Sequence, residues 1–319
     1  MKTVFITGIA GFIGYHLAHH LVARGDIVLG CDNFNDYYDP ELKRTRAKNL
    51  KDIEVIDCDI RDRATLEKLF KKKSITHLVH LAAQPGVRYS LTHPQPYVDS
   101  NLDGFVHILE ICKSFPATQL IFASSSSVYG LNEKRPFSES DPTDQPANLY
   151  GATKKAGELL AHAYHHLYKI PMTGLRFFTV YGPWGRPDMA YFSFAKSILE
   201  KTPISVFNNG KMERDFTYID DIIGGIAAAI DYGAAFEIFN LGNNQPEPLM
   251  DMIQHLETAL GTKAIIDFLP MQKGEVKATW ADITKSQKLL GYHPTTSLET
   301  GIGHFADWFL SCKTALHLS

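Results

Sequence analysis

No stretch of the sequence approaches the ~20 consecutive apolar residues that a membrane helix needs, and no segment reads as a transmembrane span. Met1-Lys2-Thr3-Val4-Phe5-Ile6 runs straight into a glycine loop, which leaves no room for a signal peptide. Cysteines are few: Cys31, Cys58, Cys112 and Cys312 are scattered without C-x-x-C spacing, as expected of reduced, buried thiols in a cytoplasmic protein. There is no long run of lysine or arginine, and the formal net charge is -3, so the footprint of a nucleic-acid binder is missing. Any anionic ligand must be held by local groups. His162, His165 and His166 share a helical spacing, but no carboxylate or cysteine completes a metal set, so they read as a hydrated helix face. No internal repeat or low-complexity tract is present.

What is there is a chain of 319 residues with 45% hydrophobic content, enough to bury one large domain or two interlocked ones. Over the first ~180 residues short apolar runs alternate with helical patterns, the rhythm of parallel β-α-β units. Residues 2–7, 26–31, 53–58, 77–81, 119–123 and 172–177 read as strands, and 12–23, 61–72, 97–115 and 148–169 as helices. Strands buried on both faces and wrapped by helices make an α/β fold with a doubly wound parallel sheet. Beyond Gly182 prolines punctuate a more irregular half, expected to be a smaller mixed α/β domain. Residues 236–241 read again as a strand able to rejoin the first sheet. The expected division is therefore discontinuous, with 1–181 plus a return near 217–243 as one domain and 182–319 as the other.

Gly8, Gly11 and Gly14 in T-G-I-A-G-F-I-G follow a strand and open a helix, where bare backbone can approach a pyrophosphate at the positive helix end. Asp32 ends the next strand, 18 residues after Gly14, where a carboxylate can accept from a ribose 2′-hydroxyl and repel a 2′-phosphate. That combination favours NAD over NADP. Asp59, after the third strand, either meets the adenine edge or caps the following helix. Leu81, Ala82 and Ala83, after the fourth, can lie against the cofactor.

Tyr150 and Lys154 stand four apart in Y-G-A-T-K, on one face of a helix, so an ammonium can favour the ionised phenol. The run Ser124-Ser125-Ser126-Ser127 begins where the fifth strand stops, at the carboxyl edge where ligands collect in this fold. A hydroxyl there can bond a sugar hydroxyl and share its proton with Tyr150.

With these motifs the chain resembles the extended short-chain dehydrogenase/reductase family over almost its whole length, and within it nucleotide-sugar 4-epimerases acting on UDP-glucuronate. The stretches that carry the likeness are D-N-F-N-D-Y-Y-D from Asp32, G-V-R-Y-S from Gly86, A-S-S-S-S-V-Y-G from Ala123, R-F-F-T-V-Y-G-P-W-G-R-P-D-M-A from Arg176, R-D-F-T-Y-I-D-D from Arg214 and T-W-A-D from Thr279. The resemblance implies a Rossmann-type domain and a catalytic set of Ser125, Tyr150 and Lys154. It implies an NAD site built from Gly8, Gly11, Phe12, Ile13, Gly14, Asp32, Asn33, Asp59, Ile60, Leu81, Ala82, Ala83, Asn101 and Phe178, with Tyr150 and Lys154. It also implies 4-epimerisation of UDP-glucuronate through a 4-keto sugar, and a homodimer joined by a four-helix seam of residues 97–115 and 148–169.

Substrate choice turns on the two residues after Ser125. Dehydrating relatives typically have Asp-Glu there and decarboxylating ones a glutamate before V-Y-G, whereas this chain has Ser126 and Ser127. Without a carboxylic acid to drive elimination or loss of CO2, epimerisation is the simplest outcome. Ser126, Ser127, Thr179 and Arg186 are candidates to hold a C6 carboxylate; the two serines could equally cap a loop, and Thr179 could be an ordinary buried hydroxyl. Arg214 resembles the arginine that pairs with the substrate diphosphate, Val206 and Phe207 the strand whose edge and ring hold uracil, and Arg88 faces either the substrate or a nearby acid. Pro85 and Lys273 depart from the family pattern and bear on substrate-loop geometry. The alternatives are a UDP-glucuronate decarboxylase, a neutral UDP-sugar 4-epimerase, and a nucleotide-sugar sensor without catalysis.

Overall fold

In the computed structural model of the protein, which describes residues 1–312, seven strands form one parallel sheet in the order β10-β6-β5-β4-β1-β2-β3. The strands are β1 (Thr3–Thr7), β2 (Ile27–Asp32), β3 (Glu54–Asp57), β4 (His77–His80), β5 (Gln119–Ser125), β6 (Met172–Phe177) and β10 (Phe236–Leu241). Successive side chains alternate between faces. Val4 and Ile6 enter one core with Leu17, Ala18 and Leu21 of α1 (Phe12–Ala23) and Ile222, Ile223 and Ile226 of α8 (Ile219–Tyr232). Phe5 enters another with Leu66 and Phe70 of α3 (Arg63–Lys72), Ile108 of α5 (Gly104–Ser114) and Ala161 of α6 (Leu149–Tyr168). Both faces are thereby covered, which is the doubly wound arrangement. Phe236–Leu241 pairs in parallel with Met172–Phe177, so the chain returns to the sheet after a long excursion.

The excursion and the C-terminal half supply two small sheets. β7 (Thr179–Tyr181), β9 (Glu213–Tyr218) and β11 (Pro246–Pro248) form one, β8 (Pro203–Phe207) and β12 (Ile265–Leu269) the other. Around them lie α7 (Ala190–Glu200), α9 (Leu249–Leu260), α10 (Thr284–Leu290) and α11 (Leu298–Cys312). Tyr191 and Phe192 of α7 pack on Phe305, Trp308 and Phe309 of α11, several of the ring pairs edge-on. Asp215 joins three chain segments: its carboxylate accepts from Asn243 N (2.5 Å), Asn244 N (3.1 Å), Ala281 N (2.9 Å) and Thr217 Oγ1 (3.2 Å). α2 (Pro40–Asn49) lies after β2.

Two local expectations change. Residues 97–115 are not one regular helix: α4 (Gln95–Tyr97) passes into a π-helical turn, Val98–Asp103, before α5. The wider turn carries Asn101, whose Oδ1 accepts from Gln84 N (2.8 Å) and whose Nδ2 donates to Gln84 O (3.1 Å) and Thr153 Oγ1 (3.1 Å). The cap of α3 is Asp62, accepting from Thr65 N at 3.1 Å; Asp59 instead accepts from Arg61 N, Arg61 Nε and Asn33 Nδ2. Cys31, Cys58 and Cys112 are buried and free, and Cys312 is half-buried. His162 and His165 lean on the Phe236 ring. No helix among the described residues is long and apolar enough to cross a membrane.

Candidate active site

The sheet order reverses direction between β1 and β4, and two cavities open at that carboxyl edge. The first, of about 220 Å³, is lined by Gly8, Gly11, Phe12, Ile13, Gly14, Asp32, Asn33, Asp59, Ile60, Leu81, Ala82, Ala83, Ser125, Tyr150, Lys154 and Phe178. The second, of about 660 Å³, is lined by Arg88, Ser125, Ser126, Ser127, Tyr150, Phe178, Thr179, Arg186, Phe207 and Arg214. Ser125, Tyr150, Phe178 and Arg186 belong to both, together with Tyr37 and Met189. The cavities therefore meet at the residues with acid–base chemistry.

The backbone of the first cavity fits a dinucleotide. Gly8 has φ +71°, and a Cβ on Gly14 would lie 2.2 Å from Gly8 O, so α1 starts against the loop as only glycine permits. Gly11 caps α1 with no side-chain hydrogen bond, which leaves the first-turn N–H groups to an anion. Asp32, at the end of β2, accepts from Phe34 N at 2.9 Å, and Lys43 Nζ lies 3.6 Å from the same carboxylate oxygen. Asn101 is the exception in the expected set. It does not line the cavity; it fixes Gln84 just past the Leu81-Ala82-Ala83 stretch.

Tyr150 lies in the first turn of α6, capped by Asn148, which accepts from Gly151 N at 2.8 Å. A Cβ on Gly151 would stand 2.5 Å from Ser127 O, so this glycine allows the tyrosine's turn to press against the serine run. Lys154 Nζ donates to Ala123 O at 2.9 Å and lies 6.0 Å from the Tyr150 ring centroid. The expected lowering of the phenol's pKa by the ammonium does not dominate. Burial raises Tyr150 above its usual value, partly offset by the Ser125 hydroxyl, and burial pushes Lys154 down to about 8.

Below the serine run, Glu158 on α6 accepts from Ser124 Oγ (2.6 Å) and takes the Arg176 fork (2.8 and 2.9 Å), while Arg176 also donates to Tyr129 Oη (3.0 Å). α6, β5 and β6 are thus pinned together one residue from Ser125 and two from Phe178.

In the second cavity Arg186 forks onto Asp188 (3.0 and 2.6 Å), which also accepts from Tyr37 Oη at 3.0 Å. Arg88 donates to Glu275 at 2.7 Å and stacks over Phe207, and Arg214 reaches the same carboxylate at 4.0 Å. The salt bridge considered for Arg88 exists, on the cavity wall. Strand alternation turns Ser205 and Phe207 to the cavity and buries the Val206 side chain completely, so Val206 can offer a ligand only its backbone edge. Sequence reasoning missed Tyr37, Lys43, Asp188 and Glu275. Asp188 has a local signal, two residues from Arg186; Tyr37 and Glu275 are brought in by loops and Lys43 by α2.

A doubly wound sheet with a glycine loop under α1 and a Ser–Tyr–Lys set at its carboxyl edge defines a dinucleotide-dependent enzyme of the short-chain dehydrogenase/reductase type. Residues 4–242 match the NAD dependent epimerase/dehydratase family. The chain belongs to that family. It is 54% identical over 329 residues to UDP-glucuronate 4-epimerase 4 of Arabidopsis thaliana, covering 97% of this chain and 75% of that protein. The UDP-glucuronic acid 4-epimerase of Bacillus cereus, solved with UDP-glucuronic acid and NAD, superposes with a TM-score of 0.92 at 39% identity, covering 97% of this chain and 99% of the other. The UDP-glucose 4-epimerase of Thermus thermophilus, solved with NAD, gives 0.89 at 27%, with the same two coverages.

Proposed function

We propose that this chain is an NAD-dependent isomerase that interconverts UDP-glucuronate and UDP-galacturonate by epimerisation at C4. The observation that carries the reading is the wall beside Tyr150, where Ser125, Ser126, Ser127 and Thr179 present hydroxyls and Arg186 a cation. The relatives named for UDP-glucuronate epimerisation support it.

The same reading assigns a role to each group of residues. Gly8, Gly11, Gly14 and the α1 N-terminus hold the NAD diphosphate, with Asp32 and Asn33 at the ribose and Asp59 and Ile60 at the adenine. Bound there, NAD would supply the hydride acceptor and donor for oxidation at C4 and return of hydride to the opposite face of the 4-keto sugar. Tyr150, in its ionised form, would accept the C4 hydroxyl proton and give it back when hydride returns, with Ser125 sharing that proton. Lys154 fixes the cofactor ribose and adds positive charge beside the phenol as it ionises. Arg88, Arg214, Phe207 and the Val206 backbone edge hold the UDP portion. Ser126, Ser127, Thr179 and Arg186 hold the C6 carboxylate. That grip matters because the 4-keto sugar is a β-keto acid, which loses CO2 most easily when its carboxylate stands perpendicular to the ketone; holding it out of that alignment preserves the acid.

The division into a cofactor unit (1–181 with the return near 217–243) and a substrate unit (182–319) belongs to the same proposal, as does a cytoplasmic setting. So does a homodimer through α5 and α6, since α6 leaves Leu159, Leu167 and Tyr168 exposed. Light scattering of the pure protein reads the mass directly; a monomer would remove the seam.

The function is tested by NMR of UDP-glucuronate incubated with the protein, following the sugar H4 and anomeric signals. UDP-galacturonate without CO2 is the expected result. UDP-xylose or a 4-keto pentose would show that the hydroxyls do not protect the carboxylate, and no change would overturn the assignment.

A further inference from the structure

Outside the groups already assigned roles, a cation is sealed from water. Arg46 on α2 is fully buried. Its Nη1 donates to Ala10 O at 3.1 Å and Tyr38 Oη at 2.9 Å, and its Nη2 donates to Trp184 O at 2.6 Å and Gly185 O at 2.9 Å. All these acceptors are uncharged, and its buried Nε has no partner among the described residues. A guanidinium taken out of water without a counter-charge is costly. Here four bonds to uncharged oxygens and the face of the Tyr38 ring, 5.8 Å from the guanidinium carbon, compensate. A lysine, a point charge with no fork, cannot reach three carbonyls in fixed directions at once.

The acceptors come from the two halves of the site. Ala10 lies in the glycine loop, between Gly8 and Gly11. Trp184 and Gly185 immediately precede Arg186, which lines both cavities. That second loop has little freedom of its own: Trp184 has φ +58°, rarely adopted by a bulky residue, and a Cβ on Gly185 would lie 1.8 Å from Tyr191 Oη. A second tie runs parallel, from His16 Nε2 on α1 to Pro183 O at 2.9 Å; burial chiefly, with Arg46 contributing, holds that imidazole neutral by lowering it to about 4.

We propose that Arg46 is a positioning residue that couples the dinucleotide loop to the Trp184-Gly185-Arg186 loop, so that the conformation binding NAD also sets Arg186 at the sugar end of the site. The proposal rests on the UDP-glucuronate reading for its sugar-end consequence, and on the glycine loop alone for its cofactor consequence. Weakening the brace acts on both ends although Arg46 lines neither cavity.

The test uses Arg46→Lys and the milder Tyr38→Phe, which removes one acceptor from Nη1. Each is measured well below its melting temperature for the NAD dissociation constant after nucleotide removal, for KM and kcat with UDP-glucuronate, and for the fraction of product that has lost CO2. Arg46→Lys is expected to weaken NAD binding and raise KM, each on the order of 5- to 30-fold, and to raise the decarboxylated fraction. Tyr38→Phe should shift all three the same way by less. Lower melting temperatures with unchanged NAD affinity, KM and product ratio would overturn the coupling and leave Arg46 as scaffolding. If Arg46→Lys does not fold, Tyr38→Phe decides by the same criteria. Failure of the wild type to turn over UDP-glucuronate would count against the function, while the NAD affinities of the variants would still decide the coupling at the cofactor end.

Discussion

Replacing Glu158 with alanine probes the ion pair beneath the serine run. The Glu158 and Arg176 side chains are 5% and 4% exposed, so the substitution strands a guanidinium where water cannot reach it. It also takes the acceptor from Ser124 Oγ and from two arms of Arg176, leaving that cation with Tyr129 Oη at 3.0 Å and little else. Breaking one partner of a buried pair typically costs about 3–5 kcal/mol, and at ~2 °C per kcal/mol for a large domain the melting temperature should fall by roughly 6–10 °C. The double variant Glu158→Ala with Arg176→Met removes the stranded charge and should recover at least half of that loss. The pair also carries a pH signature. Arg176 and Ser124 hold the Glu158 carboxyl below its usual value despite burial, so its contribution is present above the unfolded-state pKa and is lost as pH falls through the lowered folded-state value. Thermal melts taken downward from pH 7 should therefore bring the wild type toward the single variant, while the gap between the single and the double variant, neither of which carries Glu158, should stay unchanged. A fall of less than 2 °C at pH 7, or a double variant no better than the single, would refute the claim that this pair holds the serine run in place.

Ser126→Ala with Ser127→Ala should raise KM for UDP-glucuronate about tenfold, as expected for losing two hydrogen bonds to a charged group, and should release measurable CO2; unchanged product purity would exclude these hydroxyls from the carboxylate site. Asp215→Asn should destabilise the protein by roughly 1–3 kcal/mol in denaturant melts, because in either orientation the amide turns a donor toward at least one of the N–H groups from which the carboxylate now accepts. Gly14→Ala places a Cβ 2.2 Å from Gly8 O, so the purified variant should carry little nucleotide, read from its absorbance ratio; full NAD occupancy would contradict the loop's assigned role.

The sheet was legible from the sequence because its strands are buried on both faces and announce themselves as apolar runs, and Phe236–Leu241 could be assigned to it for the same reason. The glycine loop and the Tyr150–Lys154 spacing were legible because they are local. What escaped depends on contacts between distant segments. Lys43 reaches Asp32, and Glu275 reaches Arg88 across 187 positions, with no local pattern to signal either. The π-turn at Val98–Asp103 escaped because hydrophobic periodicity does not register one extra residue in a turn. The electrostatics of Tyr150 reversed because burial is a property of the fold, not of the spacing.

The fate of the C4 hydrogen decides whether hydride leaves and returns within the site. UDP-glucuronate carrying deuterium at C4 should give UDP-galacturonate with the label still at C4, and unlabelled substrate run in D2O should gain none there. Loss of the label, or entry of solvent deuterium at C4, would contradict oxidation and return within one closed pocket.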